Sequence, residues 1–413
     1  MKKKSIVILL LACLLPAFAN AREQYRLLSL EECVDSALAN NPAIGAAALE
    51  VEKSRVLRRS AFDPPKTEIL LKQETTGGGG TENGVFFGQD FDFPTLYVAR
   101  HRALLAGNEL QISRFRVLEA EIEKEVSSIY YSLLYIDRLL DLNSELDSIY
   151  GEFCRVAGAR MEVGESGALE VMNAERAREK NSLARMDLIQ RQTALTIRMQ
   201  TVTGCTLKVL PSGKEFGPIP YLSETEAFDF NRTVRGAAAD NEVMLAEKEI
   251  TVARNEFMPG IRVGATVQAF LKGFNPYHVD RQPFDKGNFM GIEVGITVPL
   301  FFSAGSSRLK AAGFEREISI LRREAAAADA GSEVLRLSAD LESLKQRLGR
   351  YVSTSVPRAD EIKRISLVSY NLGEIDYVEY IANLEAVYSV YQEYADCVNE
   401  YNQTVISLKN ICQ

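Results

Sequence analysis

The chain has 413 residues, of which 46% are hydrophobic and 25% charged, with two histidines, no tryptophan and a formal net charge of −8. The acidic balance argues against nucleic acid as a partner, and two histidines in different halves, His101 and His278, leave little for an imidazole-based catalytic or metal site. Beyond the N-terminus no apolar run approaches the ~18 residues of a membrane helix, so a mature chain that enters a membrane must do so as a closed β-barrel.

In chain order, Lys2, Lys3 and Lys4 precede an apolar run from Ile6 to Phe18 and a small-x-small site at Ala19-Asn20-Ala21, which predicts an export signal over 1–21. Its removal takes three lysines away and moves the formal charge from −8 to −11, a balance better suited to cations or neutral solutes. Leu10-Leu11-Ala12-Cys13 has the form of a lipoprotein cleavage box, but the apolar run continues past it, and acylation of Cys13 stays open. Cys33, Cys154, Cys205, Cys397 and Cys412 remain without a CxxC pair and read as small hydrophobes. A bond between Cys205 and Cys412, each closing a long helical segment, is left open.

The rest of the chain reads as two copies of one plan: a first repeat over 22–203, a linker over 204–224 and a second repeat over 225–413. Each runs helix, strand, loop, strand, long helix, turn, long helix. Phe62-Asp63-Pro64 and Phe257-Met258-Pro259 end the leading helices, because proline cannot continue a helix and pushes its predecessor into extended geometry. Strands are expected at about 66–74 and 85–93 and at about 261–271 and 289–298, around polar loops Thr75 to Gly84 and Lys272 to Asn288. In Gly291 to Val298 apolar residues alternate with small or polar ones, as a wall between lipid and water requires. Four strands cannot close a barrel alone, so a membrane reading forces oligomerisation.

Long helices follow from Tyr97 to Met161 and from Ser307 to Leu372. Leu139, Leu142, Leu146, Ile149, Phe153 and Val156 step by three and four, and so do Val334, Leu337, Leu341, Leu344, Leu348 and Tyr351. The last helix carries two heptad rows, Tyr377, Leu384, Tyr391, Val398, Val405 and Tyr380, Val387, Tyr394, Tyr401, Leu408. Such stripes alone fit an ordinary helical bundle; the four symmetric strands have no place in one. Val356-Pro357 predicts a kink in the second long helix, with Ser355 capping a restart.

Enzyme motifs are missing. Ser307-Arg308-Leu309-Lys310 has the SxxK form without its companion elements, and Gly77 to Gly80 lacks the lysine and the strand-to-helix context of a phosphate loop. Asn231-Arg232-Thr233 and Asn402-Gln403-Thr404 are sequons of little weight, the second lying on a heptad helix. No catalytic residue, cofactor or resident metal is expected.

Each half places a glycine between its long helices: Met161-Glu162-Val163-Gly164-Glu165-Ser166-Gly167 and Tyr370-Asn371-Leu372-Gly373-Glu374-Ile375-Asp376-Tyr377. Both read as helical hairpin tips, with acidic residues suited to the first turn of the next helix. The stretch from Arg364 through Gly373-Glu374-Ile375-Asp376-Tyr377 to Thr404 resembles the C-terminal repeat of TolC-like outer-membrane efflux proteins. Leu28-Ser29-Leu30-Glu31-Glu32-Cys33-Val34-Asp35-Ser36-Ala37-Leu38 and Asn40-Asn41-Pro42 are similar to that family's first helix. The shared order spans essentially the whole mature chain.

The resemblance implies an α plus membrane β-barrel fold. A homotrimer would close a twelve-stranded barrel in outer-membrane lipid, with coiled-coil helices forming a periplasmic tunnel. It implies a passive exit channel, not an enzyme, partnered by a periplasmic adaptor and an inner-membrane efflux transporter. Gly164, Glu165, Ser166, Gly373, Glu374, Ile375 and Asp376 would form adaptor-docking tips, and Glu170, Tyr370 and Glu379 an entrance gate and selectivity element. Ile375 stands where the family's pattern has an arginine, which puts a closed-state salt-bridge lock in doubt; a solvated coiled-coil flank is the plain reading of each carboxylate. The form of the second tip is similar to members serving heavy-metal cation pumps. A multidrug or type I secretion exit channel, or a periplasmic coiled-coil scaffold, are the alternatives.

Overall fold

In a computed structural model the described residues are 25–75, 81–164, 167–213, 215–221, 228–268 and 289–413. The export signal with Cys13, Gly77 to Gly80, Glu165, Ser166, the loop Lys272 to Asn288 and His278 lie outside them. Strand β1 (Tyr25–Leu28) is followed by α1 (Leu30–Asn40), α2 (Pro42–Leu57), β2 (Glu68–Thr75), β3 (Thr81–Phe91), α3 (Pro94–Glu162) and α4 (Ala168–Thr203). Then come β4 (Lys208–Pro211), α5 (Val234–Asn255), β5 (Gly260–Gln268), β6 (Phe289–Thr297), α6 (Ser303–Arg350), α7 (Val356–Asn371) and α8 (Tyr377–Cys412). The chain divides into two compact units, one of Met1–Pro42, Glu121–Glu224 and Arg336–Asn410, the other of Ala43–Ala120, Thr225–Leu335 and Ile411–Gln413.

In the first unit the heptad rows of α8 turn inward. Leu384, Val387, Val398, Val405 and Leu408 are buried, together with Leu133 of α3 and Met199 of α4. Helices α3 and α8 run antiparallel. Ser128 Oγ donates to Gln403 at 2.6 Å, Tyr135 Oη to Asp396 at 2.6 Å, Tyr388 Oη to Glu145 at 2.7 Å and Tyr150 Oη to Glu385 at 2.7 Å. These bonds let tyrosine stand in an apolar row, since the ring is buried while the hydroxyl finds a carboxylate at the edge. Burial first, and then the hydrogen bond to the carboxylate, pushes the Tyr135, Tyr150 and Tyr388 phenols above their ordinary range. They stay protonated donors.

The N-terminal segment is tied to this unit in a way the sequence reading did not anticipate. β1 pairs with β4 in a two-stranded parallel sheet, Tyr25 opposite Lys208 and Leu28 opposite Pro211, so a strand lies within the segment read as linker. Ser29 caps α1: its hydroxyl accepts from Glu32 N at 3.2 Å while Glu32 Oε2 accepts from Ser29 N at 2.7 Å. Gly204 ends α4 at φ 64°. A Cβ there would sit 2.7 Å from the Asn40 carbonyl oxygen. Gly204→Ala is therefore expected to cost ~2 kcal/mol from left-handed strain and crowding, seen as a lower melting temperature. Wild-type melting would contradict the argument.

The predicted kink takes another form. A π-helical turn over Tyr351–Ser355 joins α6 to α7, and Ser355 is itself helical and makes no capping bond. Proline at 357 brings no N–H to the carbonyl four residues back, and a π turn accommodates that gap without breaking the helix.

In the second unit α2 meets α3 through Asn108 Nδ2, which donates to Ser54 Oγ at 2.7 Å, and α5 meets α3 through Asn241 Nδ2, which donates to Ser113 Oγ at 2.7 Å. Arg316 of α6 reaches Glu247 of α5 at 3.1 Å. The four remaining strands form one antiparallel sheet in the order β2-β3-β5-β6. Their limits differ from expectation mainly at β3. It begins at Thr81 and not Val85, because the ladder with β2 continues to Thr75 opposite Thr81 through residues read as loop. β2 starts at Glu68, β5 runs from Gly260 to Gln268 and β6 ends at Thr297. Proline also proves compatible with a helix start: α3 begins at Pro94 itself.

Candidate functional site

The sheet has two chemically distinct faces, fixed by register. One carries Ile69 and Leu71 of β2, Val85, Phe87 and Phe91 of β3, Ile261, Val263, Ala265 and Val267 of β5, and Met290, Ile292, Val294 and Ile296 of β6. Gln89 stands among them as a polar residue. Leu71 is 85% exposed and Ile292 77%. An apolar surface of this extent is not left to water; it needs lipid or protein against it.

The other face presents Glu68, Asp90, Arg262, Thr266 and Glu293, with Gly88, Gly264, Gly291 and Gly295 between them. Arg262 of β5 grips Asp90 of β3 through two bonds of 2.7 Å and lies 3.9 Å from Glu68 of β2, so three strands share one ion-pair group. Phe86, buried on this face, fits because its neighbours lack side chains. A Cβ at Gly88 or Gly264 would come within 2.6 or 2.7 Å of its ring. Lys72 Nζ stands 5.6 Å from that ring's centre. Strands β2 and β6 are the outer members of the sheet. Among the described residues no helix is long and apolar enough to cross a membrane.

The hairpin tips belong to the other unit. Gly373 has φ 74°, and around it Glu374 N donates to Ser369 O at 2.8 Å and Gly373 N to Tyr370 O at 3.0 Å. This is the six-to-one closure that ends a helix on a left-handed glycine. Asp376 then caps α8, its Oδ1 accepting from Glu379 N at 2.8 Å. Glu374 accepts from Ser369 Oγ at 2.8 Å, while Ile375 is half-buried. At the first tip Gly164 has φ 77°, and its N–H donates to Met161 O at 3.1 Å.

The three residues expected at an entrance gate fall in different settings. Glu170, half-buried, pairs with Arg160 across the first hairpin at 3.2 Å. Glu379 is exposed. Tyr370 lies flat on Tyr380 at 4.9 Å between ring centres, edge-on to Tyr377 at 5.1 Å, against a core that includes Phe153 and Ile381. Glu170 is thus held within the first hairpin, while Tyr370 packs on a core that both hairpins share. His101 is exposed, and among the described residues no group of His, Cys, Asp and Glu is placed to hold a metal ion. The Asp90–Arg262 pair and the Phe86 seat were missed from sequence. The only signal was a row of glycines at alternate positions in paired strands.

A family model described as outer membrane efflux protein matches residues 231–412. No curated protein matches the sequence. Among solved structures, the fold is similar to that of CusC, at 16% identity and TM-score 0.76 over 93% of this chain and 92% of that one. It is similar to the Campylobacter jejuni CmeC outer membrane channel at 14% identity and TM-score 0.72, covering 92% and 85%. The Neisseria gonorrhoeae MtrE outer membrane channel matches at 16% and 0.74, covering 93% and 88%. At such identities these likenesses establish the fold, and the family model marks residues 231–412 as similar to outer membrane efflux proteins.

Proposed function

We propose that three copies of this chain form an exit channel in which each contributes its four strands to one twelve-stranded barrel and its long helices to a periplasmic tunnel. The observation that carries this is the two-faced sheet with β2 and β6 at its edges. With strands alternating in direction along β2-β3-β5-β6, β6 of one copy adds to β2 of the next without breaking the antiparallel order. Closure satisfies both edges, sets the apolar face against lipid and leaves the Arg262 face toward the lumen. The repeats 22–203 and 225–413 each supply one strand hairpin and one helical hairpin, after export directed by residues 1–21.

Solute enters at the tips from a periplasmic adaptor and an inner-membrane transporter. The adaptor reads the Gly164 and Gly373 turns with Glu165, Ser166, Glu374, Ile375 and Asp376, and Glu170, Tyr370 and Glu379 line the entrance. The channel does no chemistry, and the pump selects the cargo. Heavy-metal cations are the cargo the second tip favours over lipophilic drugs. Cells lacking the protein should then lose resistance to heavy-metal salts and keep it to drugs; the reverse pattern would assign a multidrug pump.

Conductance tests the entrance. Reconstituted in a planar bilayer under a salt gradient, the wild type is expected to prefer cations, and Glu170→Gln with Glu379→Gln to move the reversal potential toward zero. An unchanged reversal potential in an otherwise normal channel would remove these carboxylates from the selectivity element.

A further inference from the structure

Two cysteines come together in the first unit. Cys33 of α1 is fully buried, and Cys205, one residue past the glycine that ends α4, is half-buried. One turn after Cys33 on the same helix, Ser36 Oγ lies 3.3 Å from Cys205 Sγ and donates to the Thr203 carbonyl at 3.3 Å. Asn41 Nδ2 donates to Val202 O at 2.9 Å. Thus α1 is pinned along its length to the segment that carries Cys205, and the pairing of Tyr25 with Lys208 holds both flanks. Ser36, one turn on from Cys33, touches Cys205, so the two cysteines lie in one neighbourhood, where a disulfide needs ~4.4–6.8 Å between their Cα atoms. Burial pushes the Cys33 thiol up to about 11, with the neighbouring Cys205 adding to the effect. All five described cysteines are reduced, and Cys205 faces the α1 side.

We propose that Cys33 and Cys205 are an oxidation site that closes to an intrachain disulfide in the periplasm, stapling the N-terminal helix to the end of α4. An oxidising compartment forms and keeps such bonds. Exposure decides the order of events. Cys205, the reachable thiol, attacks the S–S bond of a disulfide oxidant such as oxidised glutathione; its proton goes with the first departing glutathione thiolate. Cys33 Sγ then attacks Cys205 Sγ, the mixed S–S bond breaks, and the second glutathione leaves with the Cys33 proton. Two thiols are oxidised and one glutathione disulfide is reduced to two thiols.

The full chain, reduced in mild detergent, exposed to oxidised glutathione, blocked with N-ethylmaleimide and digested without reductant, tests this. The expected product is the Cys33 peptide joined to the Cys205 peptide, ~2 Da lighter than the two thiol peptides together, with Cys154, Cys397 and Cys412 joined to neither. Cys205 ending as a glutathione or maleimide adduct, or joined to Cys412, would overturn it. The wild-type map needs no variant. As a second readout, reductant should lower the melting temperature of the oxidised wild type and leave that of Cys205→Ser unchanged; equal responses would count against the staple.

Discussion

Val294→Arg is expected to abolish assembly in the membrane, while Glu293→Gln, one residue away, leaves it intact. Val294 sits near the middle of β6, 73% exposed, on the apolar face beside Val263. Glu293 shares the opposite face with Glu68, Gly88 and Gly264. An arginine on the lipid side near the bilayer midplane costs ~2–4 kcal/mol per strand, and three copies meet that cost together. Removing a charge from the water-facing side costs little. Detergent-extracted outer membranes, run unheated, give the answer: the oligomer band should vanish for Val294→Arg and persist for Glu293→Gln. If both variants assemble alike, the two faces do not have the environments assigned to them.

Asn402→Leu is expected to destabilise the fold by ~2–4 kcal/mol through the groups it abandons. Asn402 is fully buried. Its Oδ1 accepts from Ile219 N at 2.8 Å and its Nδ2 donates to Gly217 O at 3.0 Å, clipping the extended segment after β4 onto α8. Leucine keeps the volume and leaves a buried N–H and a half-buried carbonyl without their partner. Thr404→Ala supplies the contrast. It destroys the Asn402-Gln403-Thr404 sequon yet keeps both Asn402 bonds, losing only a hydroxyl bond to Glu400 O at 2.8 Å. Chemical denaturation should separate the two variants clearly. Equal midpoints would mean that Asn402 matters for something other than these bonds.

What was legible in the sequence was whatever repeats. Tyr377, Leu384, Val387, Val398, Tyr401, Val405 and Leu408 of α8 and the stripes Leu139, Leu142, Phe153 and Leu337, Leu341, Leu344, Leu348 are buried where their period puts them, because one helical face can meet only one neighbour. The alternation in β6 was equally plain, since every other residue faces outward. Less legible was backbone pairing that ignores side-chain character: the β2–β3 ladder reaches Thr75 and Thr81 through polar residues that look like loop. β1 and β4, four residues each, are too short to show any period.

The candidate site divides in the same way. Left-handed glycines at 164 and 373 announce their turns, since few other residues adopt that geometry. The bond from Arg262 to Asp90 joins residues 172 apart and depends on register, which no local pattern encodes. The stacking of Tyr370 on Tyr380 likewise arises only when the hairpin closes.

The measurement closest to the central claim is the mass of the purified protein in mild detergent, taken with its solubility when detergent is withdrawn. Three chains closing one barrel predict a single species of three protomers that precipitates without detergent. A monomer that stays in solution in plain buffer would contradict the channel and leave a periplasmic coiled-coil protein in its place.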